Sequence, residues 1–150
     1  MYGGTIMIRK ATAKESRILA EMAVQMWDDN TISALEAEFA DLVRRDDATA
    51  FIRYADGQPA GFAQCGLRRD YVEGTDSTPV GYLEGIFVKA EYRNRGYARE
   101  LLVACETWAK ELGCTEFASD CELDNALSLK FHMAVGFTEA NRIICFRKDI

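Results

Sequence analysis

The spacing of apolar and polar residues predicts a short strand and two amphipathic helices at the start of the chain. Residues 6–9 form the strand-like run. Residues 13–27 are expected to form one helix, because apolar side chains recur there at helical spacing: Leu19, Met22, Ala23 and Met26. A second helix is expected from Ser33 to about Val43, since Ser33 and Glu36 match a capping box.

Three β-type runs occupy the middle of the chain. Residues 49–55 and 60–67 are rich in strand formers, and the turn residues at 56–59 between them predict a hairpin. The polar stretch 68–79 predicts a long surface loop, a kind of segment that is often functional in compact domains. The apolar run 82–88 then predicts a central strand.

The second half alternates between helical and strand-like segments. The strongest apolar stripe covers a helix at 96–112, and residues 115–119 predict a further strand. A capping pair and a closing glycine predict a last helix over 124–136. Residues 137–139 and 141–148 have β-type sequence and predict one or two closing strands.

This order of elements predicts a mixed α/β sheet. The strand-helix-strand crossover around Gly96 requires one parallel pair, whereas the earlier strands favour antiparallel pairing. We therefore expect an α+β arrangement with a mostly antiparallel sheet and about four flanking helices. At 150 residues and 49% hydrophobic, the chain is expected to form a single domain over residues 1–150.

Composition narrows the function classes. The start of the chain lacks the features of a signal peptide, and no apolar run approaches the roughly 20 residues of a membrane span, so a soluble, cytoplasmic protein without membrane contact is expected. Five cysteines without a Cys-x-x-Cys pair and a single histidine argue against a metal site and against a disulfide framework; buried free thiols are expected instead.

The net charge of −6 and the isoelectric point near 4.9 argue against nucleic-acid binding. Such a surface would favour the approach of a cationic small molecule. Mild acidity also serves solubility alone, so charge supports a cationic substrate only beside other signals.

A glycine-opened helix start follows the central strand. The sequence Arg93-Asn94-Arg95-Gly96-Tyr97-Ala98, with Arg99 after it, places small residues and arginines at a helix N-terminus. Such an end binds anions, because its N–H groups lack intrahelical partners and its dipole favours negative charge. The alternative is a solvated basic turn. The motif is neither a Walker loop nor the dinucleotide fingerprint.

Glu84 is the unusual residue of the central strand. Period-2 alternation places it on the face of Tyr82, Ile86 and Val88, where a carboxylate needs a partner or a chemical role. Gly85 beside it suggests a β-bulge. The carboxylate either forms a salt bridge with a nearby arginine or binds and deprotonates an acceptor ammonium.

Asp120 and His132 are the other titratable candidates. Asp120 follows the strand at 115–119, at an end where α/β sheets bind ligands, although capping a turn is its common alternative. His132 lies inside the last helix, where a structural role is the commoner one.

An acceptor surface of aromatic rings and acids is suggested by Trp27, Asp28, Asp29 and Tyr71. Flat rings pack on sugar faces and carboxylates pair with ammonium groups. Each residue also has an ordinary explanation, in the core or on the solvated surface.

The pattern Arg-x-x-Gly-x-Ala at 93–98 resembles the GCN5-related N-acetyltransferase (GNAT) family, in which this loop holds the pyrophosphate of acetyl-coenzyme A (acetyl-CoA). Further blocks resemble the branch of aminoglycoside 6′-N-acetyltransferases, which confer antibiotic resistance. These blocks are Trp27, Asp70-Tyr71-Val72-Glu73-Gly74, Ser77-Thr78-Pro79-Val80, Leu83-Glu84-Gly85-Ile86-Phe87-Val88, Phe117-Ala118-Ser119-Asp120, Asp124-Asn125 and Gly136-Phe137.

The resemblance implies acetyl-CoA as co-substrate and an aminoglycoside as acceptor. The residues it implies for the cofactor, beyond the loop at 93–99, are Ile86, Phe87, Val88, Asn125 and His132. It implies direct transfer in a ternary complex, with Glu84 or Asp120 assisting loss of the amine proton and the Val88 N–H stabilising the oxyanion. It leaves the proton donor to the thiolate open between His132 and a tyrosine, and it implies a homodimer.

Two departures from the branch concern the acceptor side. The loop after Trp27 reads Asp28-Asp29-Asn30, without the Pro and His of relatives, and Asn141 stands where an acid is expected. The alternatives are therefore an acetyltransferase acting on a polyamine, a small metabolite amine or a protein N-terminus, and a non-catalytic acyl-CoA sensor.

Overall fold

The computed structural model describes residues 7–150, which form a five-stranded sheet with helices on both faces. The strands are β1 (Ile8–Lys10), β2 (Ala48–Ala55), β3 (Gln58–Arg68), β4 (Val80–Val88) and β5 (Phe117–Ala118), and the α-helices are α1 (Ser16–Ala23), α2 (Ile32–Leu42), α3 (Tyr97–Glu111) and α4 (Ala126–Ala134). Residue 6 of the predicted first strand lies outside the described residues. The sheet order follows the chain, and only β4 and β5 run parallel, which confirms the mixed sheet.

The first predicted helix is shorter than its apolar spacing suggests. A 3-10 turn at Ala13–Glu15 precedes α1, and a capping box formed by Thr12 and Glu15 opens it. The Thr12 N–H donates to the Glu15 carboxylate at 2.8 Å. The helix ends at Ala23, so Trp27 lies in the connecting turn rather than on the helix.

The second helix begins one residue earlier than predicted and uses another cap. Thr31 is the N-cap of α2, and its hydroxyl oxygen accepts a hydrogen bond from the Ala34 N–H at 3.1 Å. The capping box predicted at Ser33 and Glu36 is therefore wrong. Thr31 and Ser33 are both hydroxyl residues ahead of an apolar run, and Thr31 is the cap because its backbone is extended.

The helices cover opposite faces of the sheet. Helices α1 and α2 pack on one face, where the buried residues include Leu19, Leu35, Phe39, Ile52 and Phe62. Helix α3 packs on the other face with Leu101, Leu102 and Cys105 against Ala63, Cys65 and Leu83. The predicted hairpin of β2 and β3 is confirmed and forms the centre of this three-layer arrangement.

A β-bulge at Glu84 changes which face of the sheet the later side chains of β4 occupy. Gln64 pairs with Gly85 and Cys65 pairs with Leu83, so Glu84 is the extra residue of the ladder. Beyond the bulge, Ile86 packs with Leu83 beneath α3. The predicted sharing of one face by Glu84, Ile86 and Val88 is thus wrong, because the extra residue shifts the alternation by one.

The closing strands predicted at 137–139 and 141–148 do not form. Residues 137–150 belong to the described part of the chain and contain no helix or strand. Phe137 packs against the α3 core, whereas the later apolar side chains lie in solvent, with Ile144 80% and Phe146 90% exposed. The preceding strand β5 is also shorter than the predicted 115–119. The β-type sequence of the segment therefore has no strand partner within residues 7–150.

The cysteines are only partly as predicted. All five are free; Cys65, Cys105 and Cys114 are buried, whereas Cys121 and Cys145 are exposed. A hydrogen bond with Cys65, together with burial, raises the pKa of the Cys105 thiol, which therefore stays protonated in the core. Among the described residues, no helix combines the length and apolarity that crossing a membrane requires.

Candidate active site

The N-terminus of α3 presents an open backbone. Gly96 is its N-cap with φ of 81°, and Asn94 before it has φ of 63°. No side chain of the described residues caps this end. A Cβ built on Gly96 would meet no described heavy atom within 4 Å, so there is free space beside the uncapped start of α3. This is the geometry that an anion requires.

Three arginines surround this turn and are themselves held by backbone carbonyls. The contacts are Arg93 Nε to Val88 O at 2.9 Å, Arg95 Nη2 to Glu91 O at 3.3 Å and Arg99 Nη2 to Ala134 O at 3.0 Å. All three arginines are exposed. Because each guanidinium has five N–H donors, most of them remain available to phosphate oxygens.

Arg53 supports the first turn of α3 from beneath. Its guanidinium lies 3.8 Å from the centre of the Tyr97 ring and pairs with Glu100 at 3.3 Å. Arg53 is only 7% exposed, so this cation is held by the protein itself. The contact fixes the helix start relative to β2.

Strands β4 and β5 separate soon after they meet. They pair only at Gly81 with Phe117 and at Tyr82 with Ala118. Strand β4 continues to Val88, so its later residues have no partner on the β5 side among the described strands. The result is a gap that opens toward the N-terminus of α3.

The N–H and C=O groups of successive β4 residues point alternately to β3 and into this gap. The Lys89 N–H donates to the Ala60 carbonyl of the β3 side at 2.8 Å. The neighbouring Val88 N–H, and that of Ile86, therefore point into the gap. The backbone of Phe87 is directed to β3, and its side chain packs with the α1 and α2 core. Among these three residues, Ile86 and Val88 therefore direct backbone groups to the gap, and Phe87 directs its own to β3.

His132 and Ser119 lie at the β5 side of the gap. His132 Nδ1 is 2.7 Å from the Ser128 carbonyl oxygen, which favours a proton on Nδ1. Its Nε2 is 2.8 Å from Ser119 Oγ, which in turn lies 3.5 Å from the Leu83 carbonyl oxygen. Asn125, by contrast, is the exposed N-cap of α4 and accepts from a backbone N–H.

Glu84 projects from the bulge and is held by Arg68. Arg68 Nη2 lies 2.8 Å from one carboxylate oxygen of Glu84 and 3.1 Å from the other, and Nε lies 3.2 Å from the latter. Of the two alternatives for this carboxylate, the salt bridge to an arginine is present in the structure. The side chains of Arg68 and Glu84 are 43% and 32% exposed, so the pair borders the solvent beside β4, a space that we call the cleft.

Tyr82 links this pair to Asp120. The Arg68 guanidinium stacks 3.4 Å from the centre of the Tyr82 ring, and the Tyr82 hydroxyl donates a short hydrogen bond to the exposed Asp120 carboxylate. Burial and this hydrogen bond raise the pKa of Tyr82, so the hydroxyl stays protonated. Within residues 7–150, the Asp120 carboxylate accepts a hydrogen bond only from Tyr82 and caps no turn, and the Tyr82 ring connects it with the pair of Arg68 and Glu84.

Trp27 lies against the same bulge. A Cβ added to Gly85 would stand 2.8 Å from the Trp27 ring, so the glycine allows the indole to rest on β4 beside Glu84. Asp28 and Asp29 follow in the exposed turn. Tyr71 is 75% exposed and accepts a hydrogen bond from the Gly74 N–H. The structure thus places Trp27 on β4 at Gly85, with its ring edge-on to Phe62 of the core at 6.3 Å, and leaves Tyr71 in solvent.

The long loop at 69–79 is anchored beside this cleft. Glu116, just before β5, accepts from the Asp76 N–H at 2.8 Å and from the Ser77 hydroxyl at 2.5 Å. The Ser77 hydroxyl and this N–H lower the pKa of Glu116. Asn141 also reaches the loop and donates to Glu73 at 2.8 Å.

Sequence reasoning missed Arg68, Tyr82 and Ser119 as members of the site. Arg68 was expected to start the loop, yet it is the last residue of β3. Only the register of β3 on β4 brings it over Tyr82. Alternation along β4 was the available signal, because it places Tyr82 and Glu84 on one side.

Comparison with known proteins agrees with this geometry. The model of the acetyltransferase (GNAT) family matches residues 16–137. The chain is 43% identical over 124 residues to an aminoglycoside N(6′)-acetyltransferase type 1 of Salmonella typhimurium. The matched residues make up 83% of this chain and 86% of the relative. It is 36% identical to that of Acinetobacter haemolyticus, over 95% of this chain and 98% of the relative.

Solved structures show the same similarity. Aminoglycoside N-acetyltransferase AAC(6′)-Iy in complex with the bisubstrate analogue CoA-S-monomethyl-acetylneamine superposes with a TM-score of 0.91 at 38% identity, covering 95% of this chain and 97% of that one. The same enzyme in complex with coenzyme A (CoA) gives a TM-score of 0.92 at 38% identity, with coverages of 95% and 94%.

Proposed function

Because this chain belongs to the GNAT family of acetyltransferases, we propose that it transfers the acetyl group of acetyl-CoA to the 6′-amine of aminoglycoside antibiotics. The observation that carries the proposal is the meeting of two half-sites at β4. One is the open N-terminus of α3 beside the gap, and the other is the pair of carboxylates at Glu84 and Asp120.

The cofactor half fits a pyrophosphate and an extended pantetheine arm. The N–H groups after Gly96 and the guanidinium groups of Arg93, Arg95 and Arg99 would bind the phosphates, with Asn94, Tyr97 and Ala98 forming the wall. The arm would lie in the gap as an added strand against Ile86 and Val88.

The acceptor half fits a cationic sugar. Glu84 and Asp120 hold the ammonium group, Trp27 packs on a sugar face, and Asp28, Asp29 and Tyr71 extend the acceptor surface. The Val88 N–H points to where the thioester oxygen would develop charge. Acetyl-CoA supplies the acyl thioester, and the amine attacks it directly once its proton has been lost near the carboxylates.

His132 is our proposed proton donor for the departing thiolate. Its imidazolium form donates from Nε2 to the Ser119 hydroxyl, which passes its own proton to the thiolate, so that the neutral ring keeps its proton on Nδ1. Asn125 holds the start of α4 and, in this proposal, the outer part of the cofactor arm. A His132→Gln variant should lower turnover while leaving CoA affinity within about twofold, since Gln preserves hydrogen bonding. Unchanged turnover would remove His132 from the mechanism.

Two alternatives make different demands on the site. A non-catalytic acyl-CoA sensor needs only the turn at 93–98, yet the cleft also carries an exposed carboxylate pair and an indole. An enzyme for polyamines, metabolite amines or protein N-termini would use the same carboxylates. The test is CoA release from acetyl-CoA with kanamycin-type acceptors, their 6′-hydroxyl analogues and spermidine. Equal release with and without the 6′-amine refutes the aminoglycoside assignment.

We also propose a homodimer in which residues 137–150 pair with the sheet of a second copy. The segment has β-type sequence, forms no strand among the described residues, and exposes Ile144 and Phe146. Exposed apolar residues of this kind mark interaction surfaces. A Phe146→Asp variant should sediment as a monomer, whereas Lys148→Asp, on the same segment, should not. A monomeric parent protein contradicts the proposal.

A single domain in the cytoplasm completes the proposal. The two helical layers share one sheet, and the three buried cysteines suit a reducing compartment. Acetyl-CoA is a metabolite of that compartment. Limited proteolysis should leave one resistant fragment covering the sheet; two separately stable fragments would contradict a single domain.

A further inference from the structure

The carboxylate that the acceptor amine needs is already occupied by a cation of the chain. Arg68 makes three contacts with the two oxygens of Glu84, between 2.8 and 3.2 Å. A carboxylate offers about four lone-pair sites, so little capacity is left for an ammonium group. On this count one site remains free, so an ammonium group that donates two hydrogen bonds to Glu84 must displace part of the Arg68 contact.

The surroundings allow Arg68 to leave and return. The pair is partly exposed, so water can solvate the released guanidinium. The guanidinium also rests on the Tyr82 ring at 3.4 Å, which gives it a second attachment while Glu84 is engaged elsewhere. Tyr82 is in turn fixed by its own burial and by Asp120.

We propose that Arg68 is an exchangeable cation at Glu84, which gives way to the acceptor's ammonium group on binding and returns to the carboxylate as that group loses its proton. This inference rests on the proposed function, because it names a positioning residue for the same acceptor. The proton passes to water in the exposed cleft, the nitrogen lone pair becomes free for attack, and Glu84 remains a carboxylate throughout.

The exchange solves a problem that an acidic acceptor site creates. A carboxylate that binds an ammonium group also stabilises its charged form and so raises the pKa of the amine. Attack requires the neutral amine. A guanidinium that reclaims the carboxylate removes this stabilisation at the moment of deprotonation, without any change in the charge of Glu84.

A merely structural arginine would behave differently. If Arg68 only orients Glu84, its removal weakens acceptor binding and lowers kcat/KM. If Arg68 exchanges, its removal strengthens binding of the ammonium form and lowers kcat by the same factor, so kcat/KM stays nearly constant. The difference arises because Arg68 competes with the ammonium group for Glu84 in the bound ground state. In the reacting state the amine is neutral, and Arg68 is then the partner of Glu84.

The experiment compares Arg68→Gln with Arg69→Gln, which removes the same charge one residue along the chain. Calorimetry with CoA-saturated protein measures the Kd of a 6′-amino aminoglycoside and of its 6′-hydroxyl analogue. We expect Arg68→Gln to tighten the 6′-amino compound about threefold to fivefold, the scale of a partly exposed ion pair. The 6′-hydroxyl analogue should change no more than it does in Arg69→Gln.

Kinetics provide the second readout. In Arg68→Gln we expect KM and kcat to fall together about threefold to fivefold, and the acid limb of the kcat profile to move up by about half a pH unit. Arg68→Lys keeps a cation and should lie between the parent and Arg68→Gln. In a Glu84→Gln background, Arg68→Gln should have no further effect on acceptor affinity.

The outcomes separate this inference from the proposed function. Turnover of the 6′-amino compound by the parent protein, combined with weaker binding and lower kcat/KM in Arg68→Gln, overturns the exchange and leaves the function intact. No turnover in the parent, combined with tighter binding of the cationic compound in Arg68→Gln, overturns the function and with it the return of Arg68 during reaction, and supports only the displacement of Arg68 by an ammonium group. Thermal unfolding of each variant verifies that it is folded.

Discussion

Replacing Gly96 by alanine should separate the cofactor role of the helix start from its conformational role. Gly96 has φ of 81° and Gly113, just beyond the other end of α3, has φ of 93°. A Cβ at either position would meet no described heavy atom within 4 Å. The two sites are therefore matched in backbone strain and in free space, and only Gly96 lies at the proposed phosphate site.

The magnitude follows from the backbone. A left-handed conformation costs a non-glycine residue roughly 1–2 kcal/mol. Alanine recovers about 0.4–1 kcal/mol by restricting the unfolded chain. Each variant should therefore lose about 1 kcal/mol of unfolding free energy, which corresponds to roughly 2–4 °C in Tm for a chain of this size.

The cofactor effect should appear at one site only. In Gly96→Ala, the methyl group occupies space that a phosphate oxygen needs beside the first N–H groups, and a hydrogen bond to a charged group is worth about 1.5–3 kcal/mol. We expect the Kd for CoA to rise about tenfold or more in Gly96→Ala and to stay within twofold in Gly113→Ala, as measured by calorimetry. Equal CoA affinity in the two variants would refute the assignment of this turn.

Three further changes test the acceptor half. Tyr82→Phe removes the hydroxyl that donates to Asp120 and should lower kcat about tenfold at unchanged CoA affinity. Because the pKa of Tyr82 is raised on folding, the unfolding free energy of the parent protein should also fall above about pH 10. The same fall should be smaller in Tyr82→Phe. Glu116→Gln should increase hydrogen exchange of the long loop. Since the pKa of Glu116 is lowered on folding, this carboxylate should cease to stabilise the folded parent protein as the pH falls through the acid range below about 4.5. The same dependence of unfolding free energy on acid pH in the variant would contradict this. Gly85→Ala should push the Trp27 ring off β4 and raise the acceptor KM while the KM for acetyl-CoA stays constant; equal rises would contradict the placement.

Local patterns predicted most of the fold. The hairpin of β2 and β3 was predictable because its turn residues lie between two β-type runs. The start of α3 was predictable because a glycine after an apolar strand is a signal in adjacent residues. The cap of α2 was mistaken, since Thr31 and Ser33 offer the same chemistry and only the backbone conformation distinguishes them.

The arrangement of the site depended on contacts that adjacent residues do not encode. The bulge at Glu84 shifted the facing of every later residue of β4 by one, so alternation read from Tyr82 failed at Ile86. Arg68 meets Glu84 through the pairing of two strands separated by a loop. The β-type segment at 137–150 shows that strand propensity needs a partner, which the described chain does not supply.

The position of the acetyl group in the product is the sharpest test of the proposed acceptor site. A kanamycin-type acceptor carries several amines, and we predict that only the 6′ nitrogen is acetylated, because in the proposed function Glu84 and Asp120 hold that ammonium group beside the thioester. The product of acetyl-CoA, acceptor and the parent protein can be resolved by NMR of the purified sugar. A single 6′-N-acetyl product is expected. Acetylation at another amine, or no acetylated product, would refute transfer to the 6′-amine.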